Sequence, residues 1–302
     1  MDLQTLKTYS RKYCFYYAVV ISAILGMKYF YSRAGSDQLL WILAPTAWLV
    51  SKIGSISFLY QPGIGYINHE LRFIIAPSCS GVQFLMVLFA VLGISFLGRI
   101  EETPLRFTNR LIDKKWSWLA FSTAGSYIVT ILVNSVRIVL SIYLPGLFSR
   151  IGLLNEGFRH RLLTPQRLHS LIGIVVYFSA LLVIYQVTGR LLSSLSDTPD
   201  AHANVPLSNG SSSSVLRPLF WYLLIVLGIP LLNRVYRFVR ELIIPNGGTV
   251  HLTEQVTGQG FVEYALLIMG ACLAVISLFL LFSALHNRLG TGRKNKDRSV
   301  QL

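Results

Sequence analysis

Residues 76–98 read APSCSGVQFLMVLFAVLGISFLG. A short polar turn containing Pro77 passes into an apolar run that meets no charge until Arg99. The run is close to the ~20 residues a helix needs to cross a bilayer. Comparable runs occur at 13–31, 39–59, 116–146, 168–189, 218–233 and 261–285. They predict an all-α fold: a polytopic integral membrane helical bundle of about 6–7 transmembrane helices. Composition agrees. Of 302 residues, 53% are hydrophobic and 13% charged, about half the charged share of a soluble domain. The mean hydropathy is +0.55.

The net charge is +14. No basic stripe with interleaved aromatics accompanies it, so nucleic acid is not an expected partner. Lys and Arg instead flank spans, as they do on the cytoplasmic side of a membrane; the partner implied is the lipid bilayer. The run from Tyr13 to Tyr31 carries Lys28 and lacks a small-x-small cleavage site, which predicts a retained span. Cys14 and Cys272 lie within apolar segments, where a thiol packs as a small hydrophobe. The three cysteines form no disulfide framework or zinc site. No metal or nucleotide motif is present, so no cofactor is expected.

Three regions follow from composition. Residues 1–190 form a transmembrane core. Residues 191–216 include SDTPDAHANVPLSNGSSSS and read as a flexible Ser/Asn/Pro-rich linker. Residues 217–302 form a two-span appendage ending in Arg293, Lys294, Lys296 and Arg298. Within the core, Pro45 and Lys52 interrupt 39–59, which is expected to be kinked, short or re-entrant. YQPGIGYINHELRFIIAPS (60–78) reads as an ordered loop or short strand pair at the membrane surface.

The loop with Arg99, Arg106, Arg110, Lys114 and Lys115 and the basic tail are both expected to be cytoplasmic. Alternation then places 60–78 and 147–167 outside. Lys7, Arg11 and Lys12 also pull the N-terminus inside, which conflicts with two complete crossings before residue 60. Either 39–59 does not fully cross or the N-terminus breaks the charge rule. Arg150, Arg159, Arg161 and Arg167 on the outer loop count against the charge argument.

An ionisable residue inside a span is costly and usually functional. Arg137 lies in SYIVTILVNSVRIVLSIYL. Ser126, Thr130, Asn134, Arg137 and Ser141 recur at spacings of three or four and share one helix face. That face must meet protein or water. The competing reading is an arginine that snorkels to the interface near Leu144 and Pro145. His169 opens the next span and Cys79 opens the third. On their own, these two read equally well as an interfacial histidine and a buried thiol. With spans three, four and five antiparallel in turn, Cys79, Arg137 and His169 converge near the outer face. The thiolate is the nucleophilic form of cysteine. A helix start, with Ser78 as its cap and Pro77 nearby, favours the anion, as do cationic neighbours. His169 can take and return a proton. Arg137 can only donate, and so can clamp a carbonyl, carboxylate or oxyanion. Such a set suits acyl transfer through a thioester.

PSCSGVQF, NSVRI and LHSLIG, in this order and at these depths, resemble the exosortase/archaeosortase family of membrane transpeptidases. With WILAPTAWLV, the short core is most similar to the exosortase K branch. The resemblance covers roughly residues 10–190. It implies a bacterial cytoplasmic (inner) membrane enzyme, multi-pass, with its active site at the outer, periplasmic face. Such an enzyme cleaves C-terminal sorting signals of exported proteins and transfers them to a surface acceptor. The partners implied carry a short motif, a transmembrane helix and a basic tail. By the same resemblance Cys79 is the nucleophile, Arg137 the clamp and His169 the acid/base. Asn134 supports them, and Ser80 belongs to the Cys-Ser-Gly motif.

TGQGFVEYALLIMGACLAVISLFLLF in the appendage resembles the processing region of Flp-type pilins, with Gly258, Glu263 and Tyr264 at the motif positions. Prepilin cleavage is cytoplasmic, whereas alternation places Gly258 outside. An outer loop, span and basic tail also form the layout of a tethered sorting-signal-like element. Two other functions remain in play. One is a transporter or channel subunit with an anion site at Arg137, although no inverted repeat or paired broken helices appear. The other is a pilus-assembly membrane component.

Overall fold

A computed structural model describes residues 3–97, 100, 114–150, 165–194 and 268–279. The chain divides into two compact units, Met1–Ala201 and His202–Leu302. In the second unit the described part is the short apolar helix Ile268–Phe279. The expected span at 218–233, most of the linker, and Gly258, Glu263 and Tyr264 lie outside the described residues.

The first unit is mostly helical. Its helices are α1 (Leu3–Arg33), α2 (Leu40–Gly54), α3 (Val82–Ser95), α4 (Lys114–Arg150) and α5 (Pro165–Ser194). Since α5 extends to Ser194, the first residues of the expected linker are helical. Four helical segments, Tyr13–Arg33, Pro77–Ser95, Lys115–Leu147 and Leu168–Ser194, are long and apolar enough to cross a membrane. Four is fewer than the count expected for the whole chain, whose other candidate spans fall on α2 or wholly or partly outside the described residues.

α3 is the central helix. It is apolar on all sides, and every residue from Phe84 to Gly93 is buried. In its window 78% of residues are buried within the protein, against 33% or less in the other three. Those helices keep apolar faces for lipid, including Ile128, Leu132 and Val136 on α4. Lipid is as apolar as leucine, so packing here rests on van der Waals contact and hydrogen bonds. Long-range hydrogen bonds at successive depths tie the helices together. The Tyr16 hydroxyl donates to the Gly93 carbonyl at 3.0 Å, and Trp118 Nε1 donates to the Leu92 carbonyl at 2.9 Å. At the other end of the bundle, the Tyr31 hydroxyl donates to the Pro77 carbonyl at 3.3 Å.

The same bonds fix helix direction. Along α4, Tyr127 donates to the carbonyl of Trp41 (2.6 Å), Ser135 to that of Thr46 (3.4 Å) and Tyr143 to that of Gly54 (2.9 Å). α2 therefore runs parallel to α4. The contacts of α1 with Gly93 and Pro77 set it antiparallel to α3, hence parallel to α2. With its 15 residues, α2 spans about 22 Å, short of the ~30 Å hydrocarbon layer. Residues 40–54 thus run in the same direction as α1 within the bundle. The start of α1 and the start of α4 lie at the same end, with Lys115 Nζ 4.9 Å from the centroid of the Tyr13 ring.

Residues 59–75 form an antiparallel sheet of three strands, one more than expected: β1 (Leu59–Gln61), β2 (Gly65–Asn68) and β3 (Phe73–Ile75), in that order. Tyr60 pairs with Tyr66, and Ile67 with Ile74. Buried Asn68 pins the sheet. Its amide donates to the Ser57 carbonyl, and its Oδ1 accepts from the Leu71 amide, both at 2.7 Å. The β1–β2 turn is tied to the start of α2 by Asp37, which accepts from the Tyr60 hydroxyl and, at 3.0 Å, from the Gly63 amide. These donors hold the Asp37 carboxyl below the usual carboxylate range, the Tyr60 bond contributing most, and the carboxylate holds the Tyr60 phenol above its ordinary value.

A depressed carboxylate stabilises the fold above its ordinary pKa, and that contribution is lost as pH falls through the lowered value. Asp37→Ala is expected to speed amide exchange at Gly63 and to bring the Tyr60 phenol titration down, with little effect on exchange in α3. Hydrogen exchange with mass spectrometry, together with the ultraviolet titration of Tyr60, measures both effects.

Candidate active site

Cys79 ends a 3-10 turn, Pro77–Cys79, that follows β3 directly. The Cys79 amide donates to the Ala76 carbonyl at 2.8 Å, and the Ser80 amide to the Pro77 carbonyl at 3.1 Å. α3 begins at Val82 behind Gly81. Cys79 therefore precedes the helix and does not occupy its first turn, and Ser78 is not its cap. Ser80 is fully buried, and its Oγ lies 3.5 Å from the Val82 amide, a weak contact at the helix start.

Gly81 sits at φ +77°, which costs a residue with a Cβ ~1–2 kcal/mol. A Cβ there would also lie 3.0 Å from Asn134 Cγ. This close approach lets α4 reach the turn, and Asn134 Nδ2 donates to the Cys79 carbonyl at 2.8 Å. On α4 the polar stripe faces the bundle: Ser126, Thr130 and Asn134 are fully buried, as is Ser122 one turn earlier. Ser126 bonds back to the Ser122 carbonyl.

Arg137 does not snorkel. It is 8% exposed, and its guanidinium turns into the bundle. Nη2 lies 2.9 Å from His169 Nε2, and Nη1 lies 3.2 Å from the Tyr177 hydroxyl and 3.5 Å from Asn134 Oδ1. Nε is buried without a hydrogen-bond partner among the described residues. No carboxylate is among these bonded neighbours. The approach of α5 depends on Gly173, where a Cβ would lie 2.9 Å from Arg137 Nε.

His169 lies near the start of α5. Its Nε2 is 3.7 Å from Cys79 Sγ, and its ring centroid is 6.4 Å from that of Phe73 on β3. Cys79 and Arg137, on two separate elements, thus both reach Nε2 of His169 on a third, and Asn134 bonds the Cys79 carbonyl. Ser80 stands beside the thiol in the chain and has no bond to the other four.

The arrangement constrains protonation. A guanidinium can only donate, so Nε2 is an acceptor and a neutral ring carries its proton on Nδ1. Nε2 has one lone pair, which cannot receive Arg137 N–H and Cys79 S–H at once. Among the described residues no cluster of three metal-ligating side chains occurs.

Tyr177, Gly173 and Tyr31 carried no signal in the sequence reading, and Gly81 entered it only as the glycine of the Cys-Ser-Gly motif, yet they build the site. His169, Gly173 and Tyr177 recur every four residues on α5, a stripe of the kind that marked α4. Tyr177 stacks on Phe84 of α3, with centroids 4.7 Å apart and planes at 10°. Comparison with protein-family models, curated proteins and solved structures gives no match.

Gly173→Ala is expected to push the guanidinium off His169 Nε2 while the protein still inserts. A downfield change in the His169 Nε2 signal in 15N-histidine NMR spectra, as an unprotonated ring nitrogen loses its donor, together with unchanged membrane yield, checks this. Gly81→Ala is expected to lower resistance to denaturation in detergent by about 1–2 kcal/mol, or more if Asn134 cannot move aside.

Proposed function

We propose that the first unit is a membrane-embedded cysteine protease/transpeptidase of the exosortase/archaeosortase kind. It cleaves C-terminal sorting signals of exported proteins through a thioester and passes them to a surface acceptor. One observation carries this reading. A thiol, an imidazole and a guanidinium from three separate elements meet inside an apolar bundle, with Sγ–Nε2 at 3.7 Å and Nη2–Nε2 at 2.9 Å.

The reaction follows from the donor inventory. A substrate carbonyl at Cys79 offers Arg137 a better acceptor than imidazole as negative charge grows on its oxygen. When the guanidinium turns to that oxygen, Nε2 is freed. His169 then takes the Cys79 proton, and the thiolate forms a C–S bond to the carbonyl carbon. The tetrahedral oxyanion collapses and the C–N bond breaks, with the leaving amine taking the proton from His169. Water or an acceptor nucleophile next attacks the thioester, giving its proton to His169 and releasing the Cys79 thiolate. The reading places this chemistry at the outer face of a bacterial cytoplasmic membrane, opposite the basic ends of α1 and α4. Its substrates carry a short motif, a span and a basic tail.

The orphaned Arg137 Nε favours a second reading, in which the site binds an anionic solute and the protein is a transporter or channel subunit. In that case Cys79 is incidental.

Cys79→Ala and Cys79→Ser are expected to abolish processing of co-expressed sorting-signal proteins without loss of membrane insertion. Arg137→Lys is expected to reduce processing by at least about 100-fold, since lysine lacks the planar fork. Trapping a covalent acyl group on Cys79 from total membrane protein and sequencing the attached peptide identifies the substrate. Normal processing by the Cys79 variants would exclude the enzyme and leave the anion site.

A further inference from the structure

Tyr177 is half-buried on α5, two turns from His169, and its hydroxyl bonds Arg137 and Asn134, not the thiol. Its bonds are nonetheless directional. Arg137 Nη1 can only donate, so the Tyr177 oxygen accepts that bond at 3.2 Å. The hydroxyl proton is then committed to Asn134 Oδ1 at 2.7 Å. With Oδ1 facing donors, the Asn134 amide cannot turn over, and Nδ2 is held on the Cys79 carbonyl at 2.8 Å. One chain of donors thus runs from the guanidinium through Tyr177 and Asn134 to the backbone of the nucleophile. The ring that carries the hydroxyl also stacks on Phe84.

We propose that Tyr177 is a positioning residue, which sets the guanidinium of Arg137 and the Cys79 turn in register across α4 and α5. This role rests on the cysteine-enzyme reading above. Without the hydroxyl, Nη1 keeps only the long 3.5 Å contact to Asn134 Oδ1, and Asn134 loses its 2.7 Å donor. A buried donor left unpaired is costly, so the guanidinium moves to find another partner and leaves the vicinity of the thiol.

The position of a cation beside a thiol can be read with two alkylating reagents of nearly equal size and different charge. In the full-length protein in detergent, rates of Cys79 modification by iodoacetate and iodoacetamide are measured by mass spectrometry of the Cys79 peptide. Their ratio is compared with that of 2-mercaptoethanol. Wild type is expected to favour the anionic reagent relative to that reference, and Arg137→Gln to erase the preference. Tyr177→Phe keeps the ring and the stack. It is expected to cut the ratio by roughly tenfold, the scale of one close charge contact, with the iodoacetamide rate nearly unchanged. Phe84→Leu, which loosens packing but keeps the hydroxyl, is expected to lower thermal stability and leave the ratio alone.

A wild-type ratio equal to the reference sinks the enzyme reading and this role with it. A clear wild-type preference that survives Tyr177→Phe overturns the positioning role alone. An equal loss in Phe84→Leu does the same, because packing would then explain the effect. If Tyr177→Phe does not reach the membrane, Asn134→Leu breaks the relay one step later, and an unchanged ratio there is likewise fatal to the proposal.

Discussion

A guanidinium inside an apolar bundle has to be bonded wherever it would otherwise have met water. Leaving it unpaired costs several kcal/mol, and its charge cannot be shed by deprotonation. Arg137 meets this demand at Nη1 and Nη2, though not at Nε, with no carboxylate among its bonded neighbours. Its partners are an imidazole, a phenol and an amide, all neutral acceptors. Much of the packing around the site follows from finding room for them. α5 must come close enough to deliver His169 and Tyr177, which excludes a side chain at position 173. The turn before α3 must come close enough for Asn134 to bond it, which holds position 81 to glycine in a left-handed conformation. The two glycines are the steric counterpart of one charge.

Neutral partners also explain why the charge remains available. A carboxylate would fix the arginine in a strong bidentate pair. An imidazole nitrogen is a weaker competitor for an oxygen that becomes negative during reaction. In the proposed mechanism the resting bond to His169 is therefore both a solvent substitute and a store of the base. The single lone pair on Nε2 orders the events: the clamp engages the carbonyl before the base can engage the thiol.

Most of the candidate site was legible because polar residues in an apolar helix leave few places to go. The stripe from Ser126 to Ser141 announced its own burial, and Arg137 could be assigned to the interior from its spacing with Asn134. Tyr177 was harder to see. Tyrosine is at home in apolar helices, and only the four-residue spacing His169-Gly173-Tyr177 distinguishes it. The turn at Cys79 was misjudged for a local reason. Pro77 and Ser78 make a plausible helix start in sequence, but the chain spends them on a 3-10 turn and begins α3 only after the left-handed Gly81. The third strand was missed because Phe73-Ile74-Ile75 is too short and too uniformly apolar to show alternation. It is held by pairing with β2 and by Asn68, both of which are tertiary facts.

Chain direction required contacts that no local pattern contains. Charge placed the N-terminus and the 99–115 region on one side, yet counting 39–59 as a crossing set them on opposite sides. The hydroxyls of Tyr127 and Tyr143, on Trp41 and Gly54 respectively, resolve the matter by making α2 parallel to α4. α1 and α2 then run the same way, and the chain must double back between Arg33 and Leu40. Asp37 sits in that reversal and bonds the tip of the β1–β2 hairpin. The sheet that leads into Cys79 is thus anchored to the segment that lets α2 descend beside α4. A short α2 parallel to α1 is what allows the strands, the thiol turn, the C-terminal end of α1 and the start of α5 to gather at one end of the bundle.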